Sequence, residues 1–232
     1  MTYRTCVSIA EDTPKKLERV IKKALKKSDL LELRLDFLDP LQVPDALAIA
    51  KRHMKNSVCT LRPKSEGGRF SGSEKERLSI LKLVAEYDPF LLDVEFSTLK
   101  KNKHLADYLA SARTNVLVSW HDFEKTPAER ILKRRLAEMS RLSNNVKIVT
   151  TANSLEDSAR VLELYKNLNK TNLIAFSMGD KGRTSRILCL YLGSPYTYVS
   201  LGKPVAPGQF SVDELKKLQE QNRGKHSSQE IA

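Results

Sequence analysis

Cysteine is scarce, with three in 232 residues, at positions 6, 59 and 189. An odd, widely spaced count with no Cys-x-x-Cys pair argues against a disulfide framework or a structural zinc site and fits a reducing cytosol. Long apolar runs are missing too. None approaches the roughly 20 residues of a membrane span, and the opening MTYRTCVSIAEDTPKK is no signal peptide. Glycine is limited to nine positions, and the turn after the first strand pattern, SIAEDTPKK, holds none. That speaks against the Gly-rich first turn of a doubly wound nucleotide-binding sheet. There is also no block of five like charges and no basic run interleaved with aromatics. The formal charge of +12 therefore reads as a lysine-rich surface rather than a nucleic-acid interface.

What is present is an ordinary globular composition, 41% hydrophobic and 29% charged, which excludes a disordered chain. Short β-rich runs alternate with helical patterns from end to end. Strands are predicted at 4–10, 30–36, 58–61, 91–95, 116–121, 146–152, 173–178 and 196–200. Between them, Leu17, Val20, Ile21, Ala24 and Leu25 form one helical stripe, and Leu78, Leu81, Val84 and Ala85 another. Further helices are expected after Val43, His104, Pro127, Leu155, Thr184 and Val212. Ser73 with Glu76 reads as a capping box, and Pro127 as a first-turn proline. Eight strand–helix units at 29 residues each predict a (β/α)8 TIM barrel in a single α/β domain. Residues 1–221 are assigned to the barrel and 222–232 to a polar, flexible tail.

The segment Leu31-Glu32-Leu33-Arg34-Leu35-Asp36 alternates leucine with charge. In a barrel, helices cover the outer strand face, so the leucines face outward and Glu32, Arg34 and Asp36 point inward. The pattern recurs near other strand ends. Arg62 follows Cys59-Thr60-Leu61, Asp93 and Glu95 alternate with Leu92 and Val94, Ser119 and His121 end a strand, and Lys147 lies within Val146-Lys147-Ile148. A barrel's catalytic face is the C-terminal end of its strands, so a polar, charge-rich cavity is expected there.

Lys147 sits between apolar neighbours. One reading is a desolvated amine able to attack a ketone; the other is a lysine that snorkels or pairs with Glu32 or Glu95. His121 is either a general acid/base or a structural imidazole. No His, Cys and carboxylate set has metal spacing, so no metal is predicted. The loop at 64–72, with Glu66, Gly67 and Gly68, is predicted to be mobile over the mouth because its glycines free it and little apolar area anchors it. The segment from Met178 to Arg186 opens a helix where amides and Arg186 could hold an anion.

Taken together these residues resemble the type I 3-dehydroquinate dehydratases. The resemblance runs to about residue 218. It is carried, in order, by Glu32-Leu33-Arg34-Leu35-Asp36, Thr60-Leu61-Arg62, His121-Asp122-Phe123 with Thr126-Pro127, Lys147-Ile148, Met178-Gly179 with Ser185-Arg186, and Ala206-Pro207-Gly208-Gln209. It implies a (β/α)8 barrel, usually a cytoplasmic homodimer, that dehydrates 3-dehydroquinate in the shikimate route without metal or organic cofactor. Position by position, it implies Lys147 as the Schiff-base lysine, His121 as general acid/base and Glu66 as the loop carboxylate that orients it. Ser8, Glu32, Arg34, Arg62, Met178, Arg186 and Gln209 match substrate-binding positions. Two positions depart from the pattern: Val205 stands where serine is common, and Phe176 where methionine is common. The rival enzyme reading is another Schiff-base barrel such as a class I aldolase, which shares Lys147 but has no need of Arg62, Arg186 and Gln209 together. A non-catalytic regulatory barrel and a nucleic-acid binder are the readings from other classes.

Overall fold

The leucines of the second strand show how the sequence builds the barrel. Leu31 and Leu33 are fully buried, as are Leu17, Ile21 and Ala24 on one stripe of the preceding helix. Each leucine or isoleucine among them contributes about 1.5–3 kcal/mol when removed from water, so the outward strand face and the inward helix stripe drive each other's placement. A computed structural model describes residues 3–166, 168 and 170–227. The strands are β1 (Thr5–Ile9), β2 (Leu30–Arg34), β3 (Ser57–Thr60), β4 (Leu91–Glu95), β5 (Val116–Asp122), β6 (Asn145–Thr151), β7 (Asn172–Met178), β8 (Thr197–Ser200) and β9 (Phe210–Ser211). The α-helices are α1 (Pro14–Ala24), α2 (Val43–Ala50), α3 (Glu74–Glu86), α4 (Phe96–Lys101), α5 (Lys103–Ser111), α6 (Glu129–Ser140), α7 (Leu155–Leu162), α8 (Ser185–Tyr191) and α9 (Val212–Ser227).

All strand pairs are parallel, in the order β7-β6-β5-β4-β3-β2-β1-β8-β9. This is the (β/α)8 order, with two departures from a plain eight-strand ring. Among the described residues no ladder joins β7 to β8; side chains meet there instead, with the Phe176 and Tyr198 rings edge to face at 6.5 Å. Thr197 Oγ1 on β8 also donates to the Arg186 carbonyl on α8 at 2.8 Å. The second departure is β9, a two-residue strand that adds to β8 just after the Ala206–Gln209 segment.

Three local expectations need correction. Asp36 is not a strand residue: β2 ends at Arg34, and Asp36 lies in a 3-10 turn, Leu35–Phe37, where it can turn back on Arg34. Pro127 stands outside α6, which starts at Glu129. Ser73 does accept from the Glu76 amide, but the reciprocal capping box is found at Ser154 and Asp157 of α7. At the far end, α9 runs to Ser227, six residues past the expected tail boundary at 221. Asp213 and Glu214 in its first turn complement the helix dipole. The remainder of that tail, 228–232, lies outside the described residues.

Cys6, Cys59 and Cys189 are free and buried, and burial pushes the Cys59 and Cys189 thiols up to about 12. No helix among the described residues is long and apolar enough to cross a membrane.

Candidate active site

The alternation that buries leucines on the outside of the strands delivers charge to the inside. Ser8 on β1 is level with Glu32 on β2, Arg34 with Thr60 on β3, and Ser119 on β5 with Lys147 on β6. Of these, Ser8, Glu32, Arg34 and Lys147 converge at the C-terminal end of the barrel on a cavity of about 150 Å³. All ten site residues named from the sequence line it: Ser8, Glu32, Arg34, Arg62, Glu66, His121, Lys147, Met178, Arg186 and Gln209. The sequence reading did not name Phe123, Tyr198 or Gly67 as site residues, although they line it as well.

Lys147 is buried, but its surroundings are not the apolar ones its neighbours suggest. Val146 and Ile148 face the outer layer, whereas Nζ donates to Asp93 Oδ2 at 3.2 Å and stands 3.8 Å from Glu32 Oε1. It also lies 4.4 Å from the centre of the Tyr198 ring. Of the two carboxylates proposed for it from sequence, Glu32 is near and Glu95 pairs with Arg62 and Arg77 instead. The dominant partner, Asp93, was seen in the strand pattern but not singled out. Glu32 is itself ordered by Ser8 Oγ, donating at 2.6 Å, and Thr60 Oγ1, donating at 3.2 Å.

Arg62 is buried with both terminal nitrogens of its guanidinium hydrogen-bonded. Nη2 donates to Asp93 Oδ2 at 2.7 Å, and Nη1 donates to Glu95 Oε1 at 2.8 Å and Ser119 Oγ at 2.7 Å. This pairing outweighs desolvation: Arg62 titrates above its ordinary range and Asp93 well below the usual carboxylate range. Arg34 is likewise held, in a bidentate pair with Asp36 at 2.9 and 2.8 Å.

His121 lies one inward-facing step beyond Lys147 on the neighbouring strand. Lys147 is level with Ser119, and His121 follows two residues later, about 7 Å along the strand. Burial, with Arg62 and Lys147 adding like charge, pushes its imidazole well below the ordinary 6.5. Nδ1 is 3.3 Å from Glu66 Oε2, and the ring stacks on Phe123 with centroids 5.8 Å apart. Burial raises the Glu66 carboxyl above its usual value despite Arg62 nearby, and Ser97 Oγ donates to Oε1 at 2.9 Å.

The loop at 64–72 was expected to lack an apolar anchor. It has one: Phe70 is buried, and Pro63 and Phe70 form a β-bridge. The Arg69 amide also donates to Asp36 Oδ2 at 3.0 Å, and the Arg69 guanidinium lies over Phe37 at 4.5 Å. Here the loop is folded over the mouth with Glu66 against His121. Gly67 is required at its crest, because φ is +72° and a Cβ would fall 2.5 Å from the Phe123 ring.

Arg186 differs from the other buried cations. Nη2 donates to the Pro207 carbonyl at 2.9 Å, the guanidinium lies 4.3 Å from the Phe176 ring centre, and Nε has no partner. Among the described residues no carboxylate pairs with it, and burial pushes it down to about 10. A desolvated guanidinium with a free donor beside a cavity is suited to receive an anion. Phe176 thus does more than fill the position of a methionine, since its face supports the cation. Where a serine hydroxyl is common, Val205 offers its amide, which donates to Gln209 Oε1 at 2.8 Å and leaves Gln209 Nε2 to donate to Ser8 at 3.2 Å. Among the described residues, no group of three or more His, Cys, Asp or Glu could hold a metal ion.

Comparison with known proteins places the chain in a family. The family description "Type I 3-dehydroquinase" matches residues 5–225. The chain is 34% identical over 216 residues to 3-dehydroquinate dehydratase of Methanocaldococcus jannaschii, covering 92% of this chain and 96% of that one. It is 38% identical over 200 residues to the enzyme of the same name from Dehalococcoides mccartyi, covering 83% and 86%. The crystal structure of 3-dehydroquinate dehydratase from Aquifex aeolicus VF5 superposes with a TM-score of 0.77 at 30% identity, covering 94% of this chain and 98% of that one. The type I enzyme of Clostridium difficile gives 0.83 at 25%, covering 96% and 93%. A barrel whose strand ends carry this set of residues, matched along almost its whole length, belongs to the type I 3-dehydroquinase family.

Proposed function

We propose that this chain converts 3-dehydroquinate to 3-dehydroshikimate and water through a Schiff base on Lys147. The observation that carries the reading is the shared cavity, which places Lys147, His121 and the carboxylate-free Arg186 around one small space. Arg186 receives the substrate carboxylate, for which a guanidinium fork is suited. Lys147 Nζ attacks the ketone carbon to give a carbinolamine, and His121 assists the departure of its hydroxyl as water. The iminium that forms is an electron sink. It acidifies the neighbouring C2 proton, which His121 accepts, leaving a neutral enamine. The enamine then expels the β-hydroxyl, which takes the proton from His121 and leaves as water. Water finally hydrolyses the conjugated iminium, releasing the product ketone and regenerating the amine. One water is lost at imine formation and one taken up at hydrolysis, so the net reaction releases a single water. Glu66 at Nδ1 fixes the tautomer of His121 and supports its charged form. The homodimer, the cytoplasmic location and the place in chorismate biosynthesis that the resemblance implies belong to the same proposal, and light scattering tests the first.

The test is turnover of 3-dehydroquinate, followed by growth of the conjugated enone in the ultraviolet. Absence of the enone at high enzyme concentration contradicts the proposal. The pH dependence follows from the low-lying imidazole. His121 must be neutral to accept a proton, and lowering its pKa keeps it neutral further into acid. The acid limb of kcat/KM that belongs to His121 is therefore expected below about 6.5. A limb centred at or above about 6.5 is the contrary outcome.

Gly67→Ala tests the closed loop. Both the backbone conformation and the Phe123 ring oppose a methyl group there, so the loop must shift and Glu66 must leave His121. A loss of about tenfold in kcat is expected, on the scale of misplacement rather than removal of a catalytic group. Glu66→Gln should fall in the same range, because orientation is impaired while the base remains. If Gly67→Ala retains wild-type kcat, closure is not needed for turnover.

A further inference from the structure

Arg77 does not line the cavity, yet it is among the most completely buried side chains of the protein. From α3 its guanidinium reaches the C-terminal ends of β3 and β4, and all five N–H groups have acceptors. Nη1 donates to Glu95 Oε2 at 2.8 Å and to the Leu61 carbonyl at 3.3 Å. Nη2 donates to Thr98 Oγ1 at 2.6 Å and Glu74 Oε1 at 2.9 Å, and Nε donates to Glu74 Oε2 at 2.8 Å. Glu95 is fully buried and shared: Oε2 faces Arg77, while Oε1 accepts from Arg62. Arg62 in turn holds Asp93, whose Oδ2 accepts from Lys147. The result is a chain of alternating charge, Glu74, Arg77, Glu95, Arg62, Asp93 and Lys147, running from a half-exposed carboxylate on a helix to the amine in the cavity.

A buried ion chain is a poor source of stability, since apolar side chains of similar volume commonly serve as well or better. What such a chain provides is fixed geometry, because each fork accepts only one arrangement of its neighbours. We propose that Arg77 is a positioning residue for Lys147: it fixes the Glu95 carboxylate, which orients Arg62, which places Asp93 against Nζ. The inference rests on the Schiff-base reading of Lys147 given above. It assigns a part in the reaction to a helix residue with no access to substrate. Arg186, Gln209 and Ser8 are held by contacts outside the chain, so of the residues matched to substrate binding the chain contains only Arg62.

The test compares Arg77→Met and Arg77→Lys for kcat, KM and the rate of borohydride trapping by 3-dehydroquinate, with folding checked by circular dichroism. Arg77→Met is expected to lower kcat by about 10–100-fold, the range for a reacting group displaced by an ångström or less. KM should stay within about threefold, and trapping at Lys147 should slow in step. Arg77→Lys returns a cation to Glu95 but cannot hold Glu95 and Glu74 at once, so its kcat should fall only about three- to tenfold. A folded Arg77→Met with kcat within twofold of wild type overturns the inference, as does a loss confined to KM. If Arg77→Met does not fold, Arg77→Lys decides: wild-type kcat overturns the inference, and a three- to tenfold loss at unchanged KM supports it. Failure of the wild-type protein to trap at Lys147 sinks the Schiff-base reading and the inference with it, whereas wild-type trapping at Lys147 with wild-type kcat in Arg77→Met overturns the inference alone.

Discussion

Lys147→Ala is expected to abolish dehydration of 3-dehydroquinate to the limit of detection while leaving a folded protein that still binds the compound. The loss is total because no neighbouring group can replace the amine. Tyr198, Asp93 and Glu32 surround Nζ, and none of them forms an imine. Folding should survive because the carboxylates left behind keep partners. Asp93 retains Arg62 and Ser119, and Glu32 retains the hydroxyls of Ser8 and Thr60. Binding should persist because Arg186 and Gln209 are untouched. Calorimetry with the purified variant measures this directly. Turnover above about 1% of wild type, or loss of all binding in a folded variant, is incompatible with Lys147 acting as the nucleophile alone.

His121→Ala should cost about 10²–10⁴-fold in kcat, the usual range for a general acid/base, with a smaller effect on KM. The imidazole is held neutral by burial beside Arg62 and Lys147, and it lies on the strand next to Lys147. Its removal leaves imine formation possible and C2 deprotonation slow. Mass spectrometry of the variant incubated with substrate should therefore reveal a covalent adduct that persists. His121→Ala within threefold of wild type would return the residue to a structural role.

Much of this architecture is legible from residue pattern because the two faces of each strand have different tasks. In a sheet whose strands alternate with helices, leucines at 31 and 33 and charges at 32 and 34 point to helices covering one side and a polar cavity on the other. What the pattern misses is set by three-dimensional neighbours. Lys147 looks apolar along the chain because Val146 and Ile148 are its sequence neighbours; pairing with Glu32 is legible from the strand pattern, but the nearer partner, Asp93, comes from β4. Phe70 reads as one aromatic in a polar loop, and only the fold reveals that it is the anchor. Six-residue α4 is too short to display a helical stripe, and two-residue β9 is too short to display alternation. Arg77 gives no signal at all, since an arginine three residues after a glutamate on a helix is ordinarily a surface pair.

Borohydride reduction in the presence of 3-dehydroquinate, followed by proteolysis and peptide mapping, tests the chemistry most directly, because hydride adds to the iminium carbon and makes the bond to the reacting nitrogen permanent. The predicted result is inactivation with one modified peptide, carrying the reduced adduct on Lys147, and no labelling of Lys147→Ala. An active enzyme that is neither inactivated nor labelled, or a label on any other lysine, would contradict it.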